Sequence, residues 1–116
     1  MFRVERDRDG AVADLELVDT NQAREERTGV TRQRAVGRRL SDSSEEDERT
    51  KAYFAAVAAA ARLGAPACSE LHIRTDDTHE LLEAYPVGPE LWALSALDIT
   101  EIVRAERDVA RLNADL

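Results

Sequence analysis

With 116 residues, 43% of them apolar, the chain can build one hydrophobic core but not two ordinary ones. Its net charge of -8, with 34% charged residues and only brief basic clusters such as Arg32, Arg34, Arg38 and Arg39, argues against a nucleic-acid partner. A single cysteine, Cys68, excludes an intramolecular disulfide, and the longest apolar run, residues 52–61, falls well short of the roughly 20 residues that cross a bilayer; a reducing, cytoplasmic setting with no membrane span is expected.

Residues 2–8 alternate Phe2 and Val4 with Arg3 and Glu5 and run into Asp9-Gly10, which is a hairpin signal. The next run keeps period two, with Leu15 and Leu17 expected to face the core. From Thr20 the pattern turns polar. Thr20 or Asn21 can cap a short helix that Gly29 ends, and a second short helix over residues 31–36 stops at Gly37. The acidic run Glu45, Glu46, Asp47 and Glu48 follows Ser43 and Ser44. Carboxylates in a first helical turn face the positive end of the helix dipole, and Ser43 with Glu46 has capping-box spacing. A long helix through Tyr53, Phe54, Val57 and the alanine block, closing at Gly64, is predicted.

Beyond Pro66 the chain reads as three more strands. Ser69, Leu71 and Ile73 alternate with Cys68, Glu70, His72 and Arg74; Asp76-Asp77 marks a turn; residues 79–87 end at Gly88-Pro89. The last run carries Trp92, Leu94 and Ala96 on one face and Leu91, Ala93, Ser95, Leu97 and Ile99 on the other, and the second set is read as core-facing. The order strand, strand, short helices, long helix, three strands, terminal helix predicts an α+β fold: a five-stranded antiparallel sheet with its helices gathered on one face.

Three stretches resemble the PAS family of sensor domains. RDRDGAVADLELVDTNQAREERTGV, residues 6–30, is similar to the family's strand, Asp-Gly turn, second strand and short helix closed by Thr-Gly-Val. VGRRL, residues 36–40, resembles the segment before its central helices. LSALDITEIVRAERDVARL, residues 94–112, is similar to the closing strand, Asp-Ile-Thr junction and Arg-Ala-Glu helix of many bacterial PAS sensors. The resemblance implies a sensor domain over residues 1–100 and the start of a signalling helix over 101–116. It implies a signal-transduction module that controls an output domain such as a histidine kinase, a diguanylate cyclase or a phosphatase. Arg27 departs from the pattern, standing where the family usually carries an apolar residue. If buried it needs a carboxylate or an anionic ligand, and if the helix rotates or frays it lies in water.

In the terminal helix Ile102, Ala105, Val109, Leu112 and Leu116 follow alternating three- and four-residue steps, the spacing of a two-stranded coiled coil, so a homodimer is expected. Asp98 or Thr100 can cap that helix and tie it to the last strand, which makes both candidates for signal transmission. Trp92 is assigned to a dimer face. Candidate ligand contacts are Arg27, Phe54, Val57, Leu71, Leu82, Ala93 and Leu97, with ordinary core packing as the alternative fate of the apolar ones.

Cofactor chemistry finds little support. The Asn-Cys-Arg motif of photoactive flavin-binding PAS domains is missing, and residues 44–63 contain no histidine of the kind expected to hold haem. His72 and His79 fall on different strands and, with Cys68, lack compact metal-ligand spacing, so no metal is predicted. No Gly-rich phosphate loop or nucleophile–base pair points to an enzyme. The reading is a regulatory module with a possible small-molecule ligand; its rival is a ligand-free dimerisation or docking module. The ending RLNADL suggests a fragment of a longer protein.

Overall fold

Alternation of period two builds the first hairpin in the computed structural model, which describes residues 1–45 and 48–114, with the side chains of residues 27 and 43–45 outside that description. Strand β1 (Phe2–Arg6) pairs antiparallel with β2 (Val12–Leu17), setting Phe2 opposite Leu17 and Val4 opposite Leu15. All four are buried. The Asp7 carboxylate closes the turn by accepting the Asp9 and Ala11 amides, and Gly10 supplies its positive φ of 81°.

Helix α1 (Gln22–Thr28) starts where the Asn21 side chain accepts the Arg24 amide at 3.0 Å and ends at Gly29 with φ 73°. Helix α2 (Arg32–Ala35) follows. The chain then covers the outer edge of β2, with Gly37 donating to the Leu17 carbonyl and Leu17 to that of Arg38, each at 2.8 Å. A 3-10 turn (Leu40–Glu45) intervenes before α3 (Glu48–Leu63), a later start than the sequence predicts. Of the acidic run, Glu48 lies in the first turn of α3, where its carboxylate accepts the Arg74 amide and the Thr75 hydroxyl. The Ser43–Glu46 capping box falls outside the described residues.

Strands β3 (Ala67–Ile73), β4 (Thr78–Gly88) and β5 (Leu91–Asp98) form the expected meander. The sheet is five-stranded, antiparallel and curled, in the order β2-β1-β5-β4-β3. Helix α3 lies on its inner face. Phe54 meets Phe2 edge to face at 5.2 Å, Val57 is fully buried, and Ala58, Ala60 and Ala61 keep that side of the helix thin enough for close packing on the strands. Each fully buried large apolar side chain contributes about 1.5–3 kcal/mol.

The outer face is mixed. Arg39 reaches Glu5 at 2.6 Å, Asp14 at 3.7 Å and Glu16 at 3.8 Å, while Leu81 and Leu97 stand opposite each other across β4 and β5 in solvent. Helix α4 (Thr100–Ala114) leaves the end of β5 and extends the molecule to 59 Å. Among the described residues no helix is long and apolar enough to cross a membrane.

The sequence-based facing of β5 is reversed. Trp92 is 6% exposed and belongs to the core, with Leu94 packed against it, whereas Leu97 is 61% exposed and Ala93 shares its outward face. Both faces of β5 are apolar, so alternation alone cannot say which is covered. Its neighbours decide: Phe2 stands opposite Trp92 and Ala84 opposite Leu94, both from inward-facing sets. The indole, the largest apolar side chain in the strand, gains most from that side.

Candidate functional site

Period two places Glu80 on the same inward face as Leu82 and Ala84, under α3. Its side chain is buried, and it has partners. The Tyr53 hydroxyl donates to Glu80 Oε1 at 2.5 Å, and the Arg49 guanidinium lies 3.4 Å from Oε2 and 3.2 Å from Asp76. Burial pushes the Arg49 pKa down, but the hydrogen bond to Asp76 and the charges of Glu80 and Asp76 more than offset it and hold it above its ordinary value. A buried carboxylate is tolerable only with such pairing.

On the far side of Tyr53 a cavity of about 320 Å³ opens where β1 stops flanking β5. The two strands pair only through Phe2 with Trp92 and Arg3 with Leu91, so the next stretch of β5 is flanked by Met1 and the start of α1 instead. Tyr53, Arg24, Asn21, Leu94 and Ala96 line the space. The Arg24 guanidinium stacks 4.9 Å from the Tyr53 ring centroid and 5.4 Å from that of Phe2, within cation–π range. An aromatic floor beside a cation suits a small amphipathic or anionic molecule.

Among the described residues, none of the ligand contacts expected from the sequence lines this cavity. Phe54 and Val57 are packed in the core; Leu82 is buried, and Leu71 is half-buried on the same inward face of the neighbouring strands. Ala93 and Leu97 face away. The Arg27 side chain lies outside the described residues. Arg24, one helical turn earlier, lines the cavity, and the sequence reading passed over it.

The second feature is the junction of β5 with α4. Asp98 Oδ1 accepts the Thr100 amide at 2.9 Å and the Thr100 hydroxyl at 2.5 Å, and that hydroxyl oxygen accepts the His79 amide at 3.0 Å. The Ile99 amide donates to the His79 carbonyl at 2.8 Å. The predicted transmission residues Asp98 and Thr100 thus clasp the start of α4 to the start of β4. Beyond the clasp Ile102, Ala105, Val109 and Leu112 are exposed along α4; Leu116 lies outside the described residues.

Comparison with known proteins finds no matching family model, and no curated protein or solved structure that is significantly similar.

Two histidines that the sequence reading set apart lie together. A four-residue connection between Ile73 and Thr78 fixes the register so that His72 stands directly opposite His79. Their rings stack with centroids 4.3 Å apart and 3° between planes. His72 Nε2 is 2.8 Å from Asp77 Oδ1, and that bond leads the influences that hold the Asp77 carboxyl below its ordinary value. Arg104, on α4, reaches the same carboxylate at 3.8 Å. Cys68, four residues before His72 on the same strand, is exposed.

Proposed function

We propose that the chain is a regulatory input domain of the PAS type, which passes a signal through β5 into α4 and onward to an output domain. The observation that carries this reading is the clasp at residues 98–100. It makes α4 a direct extension of the sheet, so a shift of β5 against β4 changes the angle at which the helix leaves. The element order and the three resembling segments support the family. No catalytic constellation enters the reading; the module is a regulator and not an enzyme.

Helix α4 is the dimer element. Fifteen residues are marginal as a solitary helix in water, and the apolar stripe at coiled-coil spacing gives it a parallel partner helix from a second copy. The outward pair Leu81 and Leu97 adds apolar surface at the base of that helix, the role that the sequence reading gave to Trp92. Sedimentation velocity over a wide concentration range tests the pairing. A concentration-dependent dimer is expected, and Val109→Glu with Leu112→Glu is expected to return it to monomer. A wild-type chain that stays monomeric throughout rejects the pairing.

The signal in this reading is a small molecule in the cavity beside Arg24 and Tyr53. One observation favours the second reading, a ligand-free docking module: Phe54, Val57 and Leu82, expected to surround a ligand, are packed tightly instead. Native mass spectrometry with an absorbance scan separates the two. A retained small molecule supports the sensor, and its loss on Arg24→Ala puts it in this cavity. A clean apo dimer supports docking.

A further inference from the structure

The β3–β4 hairpin carries three potential metal ligands at one point, outside the cavity and the buried Tyr53–Glu80–Arg49 cluster. His72, Asp77 and His79 each offer one donor atom, and the three atoms lie within 4.8 Å of one another. A tetrahedral Zn²⁺ with bonds of about 2.0–2.1 Å asks for donors about 3.3 Å apart. Two of the three pairs bracket that value, at 2.8 Å for His72 to Asp77 and 3.9 Å for His79 to Asp77, and the His72–His79 pair lies within 4.8 Å. His79 Nε2 is enclosed yet accepts and donates no hydrogen bond among the described residues, a ring nitrogen that coordination would satisfy. The opposite face of the same residue is anchored, because its backbone holds both the Ile99 amide and the Thr100 hydroxyl.

We propose that His72, Asp77 and His79 form a binding site for a borderline divalent transition metal, with zinc the physiological candidate. Two imidazoles and one carboxylate match that class and not calcium or magnesium, which prefer all-oxygen shells. Three protein ligands leave a fourth position for water. The stacked rings must tilt toward each other so that both Nε2 lone pairs converge. The half-exposed His72 has room for this, and Asp77 lies in an open turn. Arg104 is the electrostatic competitor: its guanidinium donates to the Asp77 carbonyl at 3.4 Å and lies 3.8 Å from Asp77 Oδ2, whereas the histidines approach Oδ1, so a bound dication would meet its charge across the carboxylate. The metal and the first turns of α4 therefore contend for one carboxylate. The site stands on the hairpin geometry alone, whatever the family of the domain.

The test is titration of the untagged 116-residue chain with Zn²⁺ by calorimetry and with Co²⁺ by visible absorption, circular dichroism verifying that every variant is folded. One metal per chain is expected, with a cobalt spectrum free of thiolate charge transfer. Affinity is expected to fall at least about tenfold in His72→Ala, in Asp77→Asn and in His79→Gln. Asn tolerates the positive φ of 50° at position 77, so that variant isolates the carboxylate from the turn. Removing the competing cation by Arg104→Gln is expected to tighten binding about threefold. Absence of saturable binding, binding indifferent to all three ligand variants, or a charge-transfer band reporting Cys68 would overturn the assignment.

Discussion

At the scale of single residues the most buried polar residue among those described is Glu80, which is 1% exposed and accepts the Tyr53 hydroxyl. Tyr53→Phe takes that donor away without changing the ring, and is expected to destabilise the fold by about 1–3 kcal/mol because a buried acceptor loses a partner. A lower urea midpoint at unchanged slope is the readout. The reversed facing of β5 gives a sharper pair. Trp92→Ala opens a core cavity and is expected to cost about 3–5 kcal/mol, while Leu97→Ala on the outer face stays within about 0.5 kcal/mol in protein dilute enough to be monomeric. Equal costs would contradict the facing described above. Glu80 was legible in principle, since it shares parity with Leu82 two residues on; an acidic side chain on an apolar face was the signal. The His72–His79 pair was legible only through register, because opposition across a hairpin depends on the length of the turn between Ile73 and Thr78 and not on spacing along one strand.

At the scale of elements, one carboxylate reinforces the backbone bonds and the Arg39 ion pairs that hold the connection from α2 to α3 to the sheet. Asp14 accepts the Ser41 amide at 3.0 Å and the Ser41 hydroxyl at 2.8 Å. Burial alone would raise the Asp14 pKa, but the bonds from Ser41, the Leu15 amide and the charge of Arg39 together hold it below its ordinary value. The sign follows from linkage. A depressed folded pKa makes this contribution complete above the unfolded value, about pH 4, and removes it as pH falls through the folded one. Asp14→Asn is expected to cost about 1 kcal/mol near neutral pH, with the difference from wild type shrinking as pH falls below the unfolded value, in denaturant melts run across that range. Helix ends were the most legible elements, because Asn21, Gly29, Gly37 and Gly64 act through local chemistry that needs no tertiary information. The 3-10 turn before α3 was not: the same Ser and Asp residues that cap a helix also stabilise such turns. The face of β5 was illegible because an apolar strand with apolar residues on both sides has no preference until its neighbours are known.

The whole molecule divides into a sheet-and-helix body with a continuous core and a helix that leaves it. The body holds the cavity and the buried Tyr53–Glu80–Arg49 group; the clasp at residues 98–100 joins it to α4. Thr100 is the buried residue of that helix, so almost all of its surface meets water already. This has a calorimetric consequence. The heat capacity that rises on unfolding comes from apolar surface newly exposed to water, and α4 of a lone chain has nearly none left to expose. Its melting contributes ellipticity at 222 nm but almost no step in heat capacity, and it precedes the cooperative transition of the body. Dilute protein is therefore expected to lose part of its helical signal below the calorimetric peak. At concentrations where two copies pair, the early loss disappears, the two transitions merge, and the heat-capacity step grows by the surface that the α4 stripes bury against each other.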